Sequence, residues 1–279
     1  MNINGIGVES LGGPLELYNT LIADSTSAAV RLAGVDSTLV LFFSTIADCG
    51  QSVDNDTGVP ANVTILQSIL SASGFASGIG CAQLDFSVLD TLFTTCCLSN
   101  PNNVCTDPLF ADPVNDDYRL TFGSPVIDTG FDPSFYTGIP CYDLDLGLRI
   151  RDGDGDGLAR PDPGAYEFVY PMGLEPGAVS GLLFDAPLSL NWDPVPAASS
   201  YGIYRADLSG LGYGTVFPAV DSSNNSSATL PVDDPLPGEA YVYLVTALNN
   251  ASLEGTLGFA TCAERSNPTP LSPSEESPQ

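Results

Sequence analysis

Asp152-Gly153-Asp154-Gly155-Asp156-Gly157 is the densest concentration of potential chemistry in the chain. Three carboxylates two residues apart, separated by glycine, can wrap a hard cation, and Gly157 suits the sharp turn such a loop needs. Leu158 can add its backbone carbonyl, and Asp162 and Glu167 follow within reach. The expected ligands of a structural Ca²⁺ are therefore Asp152, Asp154, Asp156, Leu158, Asp162 and Glu167. The match is partial. Position twelve of the loop is Pro163, not the glutamate that closes a calcium loop, and Asp162 stands one position early. The plainer reading is a solvated acidic loop, with Arg149, Arg151 and Arg160 pairing part of its charge.

Asp24 and Asp48 form a second place where carboxylates recur at equivalent positions. Paired carboxylates on one flank can hold a cation or act on a polysaccharide. Aspartate also favours turns for conformational reasons alone, and that reading is preferred here. The wider inventory argues against catalysis. The chain has no His, and all seven basic residues are Arg. Nucleophile systems built on histidine and His-ligated zinc are excluded from this chain alone. No basic residue lies between Arg31 and Arg119, where a polysaccharide lyase would need one beside its cation. No catalytic residue is expected.

A net charge of −27 repels phosphate backbones and anionic lipid, so neither nucleic acid nor a membrane surface is an expected partner. No apolar run is long enough to span a bilayer, so membrane insertion is not expected either. The same self-repulsion predicts stability that rises with salt or divalent cations. Charged residues are only 15% and hydrophobic ones 43%, which suits a packed core rather than disorder. Gly 28 and Pro 23 imply many turns and β-rich structure. Seven cysteines with no CxxC spacing suggest an oxidising compartment, with up to three disulfides and one odd thiol. Cys96 or Cys97 can close a short loop with Cys105 across the turn-forming Pro101-Asn102-Asn103. Residues 1–5 lack a signal peptide's basic and apolar regions, so the signal has been removed or the chain begins inside a longer protein. Sequons at Asn55, Asn62, Asn224, Asn225 and Asn250 carry little weight in an Asn- and Ser-rich chain.

A repeat reveals the scaffold that carries these residues. Residues 15–24, 39–48 and 63–72 align without gaps at a period of 24. Turn residues Gly34-Val35 and Gly58-Val59 keep the register, and one period earlier Ile6 and Val8 fall under Val30 and Leu32. Each copy holds short period-2 strands, with Leu15/Leu17, Leu39/Leu41 and Val63/Ile65 facing one side. Such a unit cannot bury its own apolar face, but stacked coils about 4.8 Å apart can, which predicts a parallel β-solenoid. A shorter coil follows, with Phe86-Ser87-Val88-Leu89 over Gln67-Ser68-Ile69-Leu70. Beyond residue 171 the pattern changes to alternating strands separated by Pro, Gly, Asn and Ser turns, as in an antiparallel sandwich.

Two resemblances sharpen this. Asp107-Pro108-Leu109-Phe110-Ala111-Asp112-Pro113, Asp117-Tyr118-Arg119-Leu120, Gly123-Ser124-Pro125-Val126-Ile127-Asp128-Thr129-Gly130 and Gly164-Ala165-Tyr166-Glu167-Phe168 resemble the closing segment of pectate-lyase-like bacterial surface proteins of the choice-of-anchor type. That resemblance implies a right-handed parallel β-helix, an extracellular location and a surface role, not catalysis. Residues 152–157 resemble the first half of an EF-hand loop. In the C-terminal part, Trp192 and Leu236-Pro237-Gly238-Glu239-Ala240-Tyr241 resemble fibronectin type III, which implies a tyrosine-corner role for Tyr241. On burial grounds both aromatics are expected in the core rather than on a ligand platform.

The expectation is an all-β chain: a short right-handed parallel β-helix with closing segment over 1–170, a fibronectin type III-like β-sandwich over 175–267, and a Pro/Ser-rich tail over 268–279. The expected role is a secreted or cell-surface structural or adhesive protein with structural Ca²⁺. The alternative is a carbohydrate-active, lyase-like or polysaccharide-binding β-helix, with an extracellular polysaccharide as partner. Residues 5–8 fall mid-coil, so an uncapped first coil is expected to accept a neighbour, giving head-to-tail self-association into filaments.

Overall fold

In a computed structural model the chain is all-β, with both parallel and antiparallel sheets. The structure describes residues 5–56, 62–71, 84–89, 100–132, 138–154, 158–169, 178–186, 188–208, 217–230, 240–249, 254–255, 259–260 and 263–264. The chain divides into two compact units, Met1–Ile150 with Arg160–Phe168, and Arg151–Ala159 with Val169–Gln279.

Three parallel sheets build the first unit. One contains β1 (Val8–Ser10), β4 (Ala28–Leu32) and β7 (Gln51–Asn55). The second contains β2 (Pro14–Tyr18), β5 (Thr38–Phe42), β8 (Asn62–Leu66) and β10 (Leu84–Asp85). The third contains β3 (Leu21–Ala23), β6 (Thr45–Ala47), β9 (Ile69–Ser71), β11 (Val88–Leu89) and β12 (Val104–Cys105). Successive copies of the repeat thus give one strand to each sheet in turn. Leu15 pairs with Leu39 and Leu39 with Val63, as the 24-residue period requires. Val88 and Leu89 pair with Ile69 and Leu70, as the sequence predicts for the shorter coil.

The first sheet departs from that register. Val8 pairs with Val30 and Ser10 with Leu32, not Ile6 and Val8. The reason is the corner. Residues 11–13 connect β1 to β2, whereas the longer stretch 33–37 connects β4 to β5. Gly12 and Gly13, at φ 145° and 82°, make the tighter turn. A slip of two residues leaves every side chain on its original face, so the core is unaffected. The expected pairing of Gly34-Val35 with Gly58-Val59 lies outside the described residues.

Inward side chains of the three sheets form one core that includes Val30, Leu32, Leu39, Leu41, Ile46, Val63, Ile65, Leu70 and Leu89. Each such side chain contributes about 1.5–3 kcal/mol on burial. The corners are made by single residues in the left-handed region. Asn19, Phe43, Gln67 and Phe86 stand at φ 46°, 48°, 51° and 45°. Non-glycine residues rarely adopt this conformation, so something must hold it. Two ladders do. The corner amides of Asn19, Phe43 and Gln67 donate to Phe42, Leu66 and Asp85 carbonyls on the next coil, at 3.2, 3.3 and 3.2 Å. One position on, the amides of Thr20, Ser44 and Ser68 donate to the hydroxyls of Ser44, Ser68 and Ser87, at 3.3, 3.2 and 3.3 Å. The Asn103 side chain ends this ladder by accepting from the Ser87 amide at 3.0 Å.

An antiparallel hairpin follows, β13 (Phe110–Asp112) with β14 (Asp117–Leu120). β15 (Ile150–Arg151) and β16 (Arg160–Pro161) bracket the Asp-Gly run in sequence. The segment after β16 lies on the third sheet: the Ala165 amide donates to Thr45 Oγ1 at 3.0 Å and the Gly164 amide to the Gln67 carbonyl at 2.8 Å. Cys105 and Cys141 each take part in a disulfide, and Cys49 carries a buried thiol. The expected partners Cys96 and Cys97 lie outside the described residues.

In the second unit, β17 (Leu183–Ala186), β18 (Ser189–Asn191) and β21 (Ser227–Thr229) form one antiparallel sheet. β20 (Ala219–Ser223), β19 (Ser200–Asp207) and β22 (Tyr241–Leu248) form another, and β23 (Phe259–Ala260) pairs with β24 (Ala263–Glu264). Leu190 of β18 and Trp192, just beyond its end, share a core with Tyr201, Ile203 and Val245 from the other sheet. Trp192 is buried, edge-on to Tyr201 at 5.2 Å. Tyr241 is half-buried, with the Arg205 guanidinium 4.1 Å above its ring. The tail over 268–279 lies outside the described residues.

Candidate metal centre

The buried charged side chains among the described residues are four carboxylates, Asp128, Asp143, Asp162 and Glu167, and one guanidinium, Arg149. All five belong to the first unit. Backbone amides tie the carboxylates in place. Asp162 accepts from Asp128 N at 2.7 Å and from Phe168 N at 2.6 Å. Glu167 accepts from Asp162 N at 3.1 Å. Asp143 accepts from Gly147 N, Asp145 N and Glu167 N at 2.7, 3.0 and 2.9 Å, which makes it the organiser of its own turn.

Asp128, Asp162 and Glu167 each offer a carboxylate oxygen within 4.8 Å of the others, with residue exposures of 6%, 1% and 6%. Asp128 sits at φ 57°, a conformation aspartate tolerates better than most residues. Arg149 lies beside the trio. Its Nη1 is 3.6 Å from Glu167 Oε2 and donates to the Gly164 carbonyl at 3.0 Å. Its Nη2 donates to the Ala165 carbonyl at 2.9 Å and to Asn19 Oδ1 at 2.8 Å, and its guanidinium lies 4.6 Å over the Phe43 ring.

The packing of these carboxylates perturbs their protonation. Burial first, and the charge of Asp162 second, push Glu167 well above the ordinary carboxyl range, while Arg149 opposes them. Burial likewise lowers Arg149, against the pull of Glu167 and Asp143. Three adjacent buried carboxylates need bound protons or cationic partners. An all-oxygen donor set of this kind suits Ca²⁺ or Mg²⁺ rather than a softer metal.

The sequence-predicted ligands divide between the units. Asp162 and Glu167 stand in the buried trio. Asp152, Asp154 and Leu158 belong to the second unit, where the Asp152 and Asp154 carboxylates come within 4.8 Å of each other and Asp154 is exposed. Asp156 lies outside the described residues. Asp128 is absent from the predicted set because its partner Asp162 is 34 residues away, with no spacing to connect them. Arg149, read from sequence as a surface charge partner, is fully buried.

Asp24 and Asp48 occupy another row of left-handed corners, at φ 58° and 51°, as the turn reading predicts. The hairpin brings two more groups to them. Tyr118 Oη donates to Asp48 Oδ2 at 3.0 Å, and Asp116 hydrogen-bonds Asp24. Burial, then the Asp116 hydrogen bond and charge, then Asp48, raise the Asp24 pKa, while burial and Asp48 push the Tyr118 hydroxyl upward. Asp24 therefore binds its proton more tightly folded than unfolded. Its stabilising contribution is full below the ordinary aspartate value of about 4 and is lost as pH rises through the raised folded value. Asp24→Asn mimics the protonated form and keeps the left-handed corner. It is expected to flatten the wild-type fall in melting temperature just above pH ~4. A wild-type-like pH profile in the variant would reject this assignment.

No helix among the described residues is long and apolar enough to cross a membrane. No family model, curated protein or solved structure matches this chain.

Proposed function

We propose that this chain is a secreted or cell-surface structural protein with an adhesive role. In this reading the first unit is a short right-handed parallel β-helix with its closing segment, and the second a fibronectin type III-like sandwich. A buried Ca²⁺ held by Asp128, Asp162 and Glu167 locks the closing segment onto the coils. The observation that carries the reading is the buried carboxylate trio, three acidic oxygens within 4.8 Å of one another inside the fold. A cation fills such a cluster most readily outside cells, where calcium is abundant. The disulfides at Cys105 and Cys141 agree with an oxidising compartment.

A structural role is favoured over catalysis by the state of the coil arginine. Arg31 is ion-paired with Glu9 and Asp54 at 3.4 and 3.7 Å, and also with Asp56, so it is not a poised base. Calcium is expected to raise the melting temperature of the first unit. At 100-fold above its dissociation constant the gain is about 2.7 kcal/mol, or about 5–10 °C. Calorimetry with added calcium and with chelator measures this. A melting temperature indifferent to both would end the calcium reading, and calcium-dependent cleavage of a uronate polymer would overturn the structural one.

A further inference from the structure

We infer that Gln67, at a corner of the coil stack, supplies a neutral oxygen to the cation held by the Asp128–Asp162–Glu167 trio, directly or through one water. This rests on the calcium reading and extends it to a residue from outside the closing segment. Gln67 is 0% exposed, and neither its Oε1 nor its Nε2 has a hydrogen-bond partner within the protein. A buried amide in that condition is costly unless something absent from the polypeptide satisfies it.

The side chain ends at the backbone junction that carries two of the three carboxylates. A Cβ added to Gly130 would strike both Gln67 Oε1 and the Pro161 carbonyl. Gly130 lies two residues after Asp128, and Pro161 directly precedes Asp162. The Gly130 amide donates to the Pro161 carbonyl at 3.1 Å, so the two stretches are joined where the amide arrives. The Gln67 backbone carbonyl accepts from Gly164 N at 2.8 Å, which holds the same residue against the closing segment from its other side. Glycine at 130 is what leaves room for the amide end.

Calcium prefers six to eight oxygen ligands and takes side-chain amide oxygens alongside carboxylates. Three carboxylates leave that shell incomplete, and an unpartnered buried amide oxygen is the kind of group that fills it. The expected signature has two opposed parts. Gln67→Met removes the oxygen at nearly constant volume. It is expected to weaken calcium affinity by about tenfold or more, in the range typical of groups that tune a metal site. The same change removes an unpartnered polar group, so the melting temperature in chelator is expected to stay level or rise.

The test is calcium titration by isothermal calorimetry on the full chain, with melting curves in chelator, for wild type, Gln67→Met and Gln67→Glu. Gln67→Glu keeps an oxygen and adds charge, so it is expected to bind calcium at least as tightly as wild type while melting lower in chelator. Wild-type calcium affinity in Gln67→Met overturns the inference while leaving the trio intact. If Gln67→Met does not fold, weakened calcium binding by Gln67→Glu overturns it. No binding by the wild type removes the calcium reading itself, and this inference with it.

Discussion

Arg149→Met is expected to destabilise the first unit by about 3–5 kcal/mol, the cost of breaking a buried ion pair from one side. Arg149 is 0% exposed and its loss would strand a buried Glu167. It would also remove the donors that serve the Gly164 and Ala165 carbonyls and Asn19 Oδ1. Those contacts join the closing segment to the first coil corner, so the segment is expected to detach first. Arg149→Lys is expected to recover little, because an ammonium cannot span the same carbonyl pair and side chain while lying flat on Phe43. The control is Arg119→Met. Arg119 pairs with Asp145 at 2.6 Å and Asp117 at 2.9 Å, but its side chain is 51% exposed, and exposed pairs contribute about 0–1 kcal/mol. Urea unfolding curves compare the two directly. Equal losses would mean that Arg149 is not buried in the folded protein.

Gly164→Ala is expected to cost about 2–4 kcal/mol, from a backbone that L-residues avoid and from overpacking. Gly164 sits at φ 105°, and a Cβ there would meet Ile69 Cδ1 at 2.8 Å and Thr45 Oγ1 at 2.9 Å. Thr45 Oγ1 is also the acceptor for the Ala165 amide, so the new methyl group would disturb the bond that docks the segment. Gly123→Ala separates the two causes. Gly123 has φ 81° but nothing within 4 Å of its added Cβ, so only the backbone cost of about 1 kcal/mol is expected. A Gly164→Ala loss no larger than that of Gly123→Ala would show that the closing segment does not rest on the third sheet as described. Both variants are read from melting curves in chelator, where no bound cation masks the difference.

The stack of parallel strands was legible in the sequence because a fixed period is a local property. Leu15, Leu39 and Val63 recur at one interval and must face one core, so their pairing follows from burial alone. Among the described residues the predicted register failed in the first sheet. There β7 pairs one residue off the period, Val30 with Val53, and β1 two residues off, its connection to β2 being shorter. Glycine pairs there signal a turn, but nothing in the residue types states how many residues it uses up. The corner aspartates were legible for a similar reason, since turn propensity acts on single residues.

Composition and periodicity already contain the all-β character, the parallel pairing of the repeat and the acidic chemistry available to a cation. The sequence also draws attention to Asp162 and Glu167. Which carboxylates share a buried site emerges from the folded chain alone. Asp128 reaches Asp162 across 34 residues, and Arg149 meets Asn19 across 130, contacts that no local spacing encodes. Burial is the physical reason that this matters. The same Asp-rich composition is inert in water, where charges are screened and hydrated, but in a packed interior each carboxylate needs a partner. Which residues the fold takes out of water depends on how the closing segment lies against the coils. That segment is held by Gly130, Gly164 and the Gln67 backbone, none of which carries a charge that a reading of the sequence would have singled out.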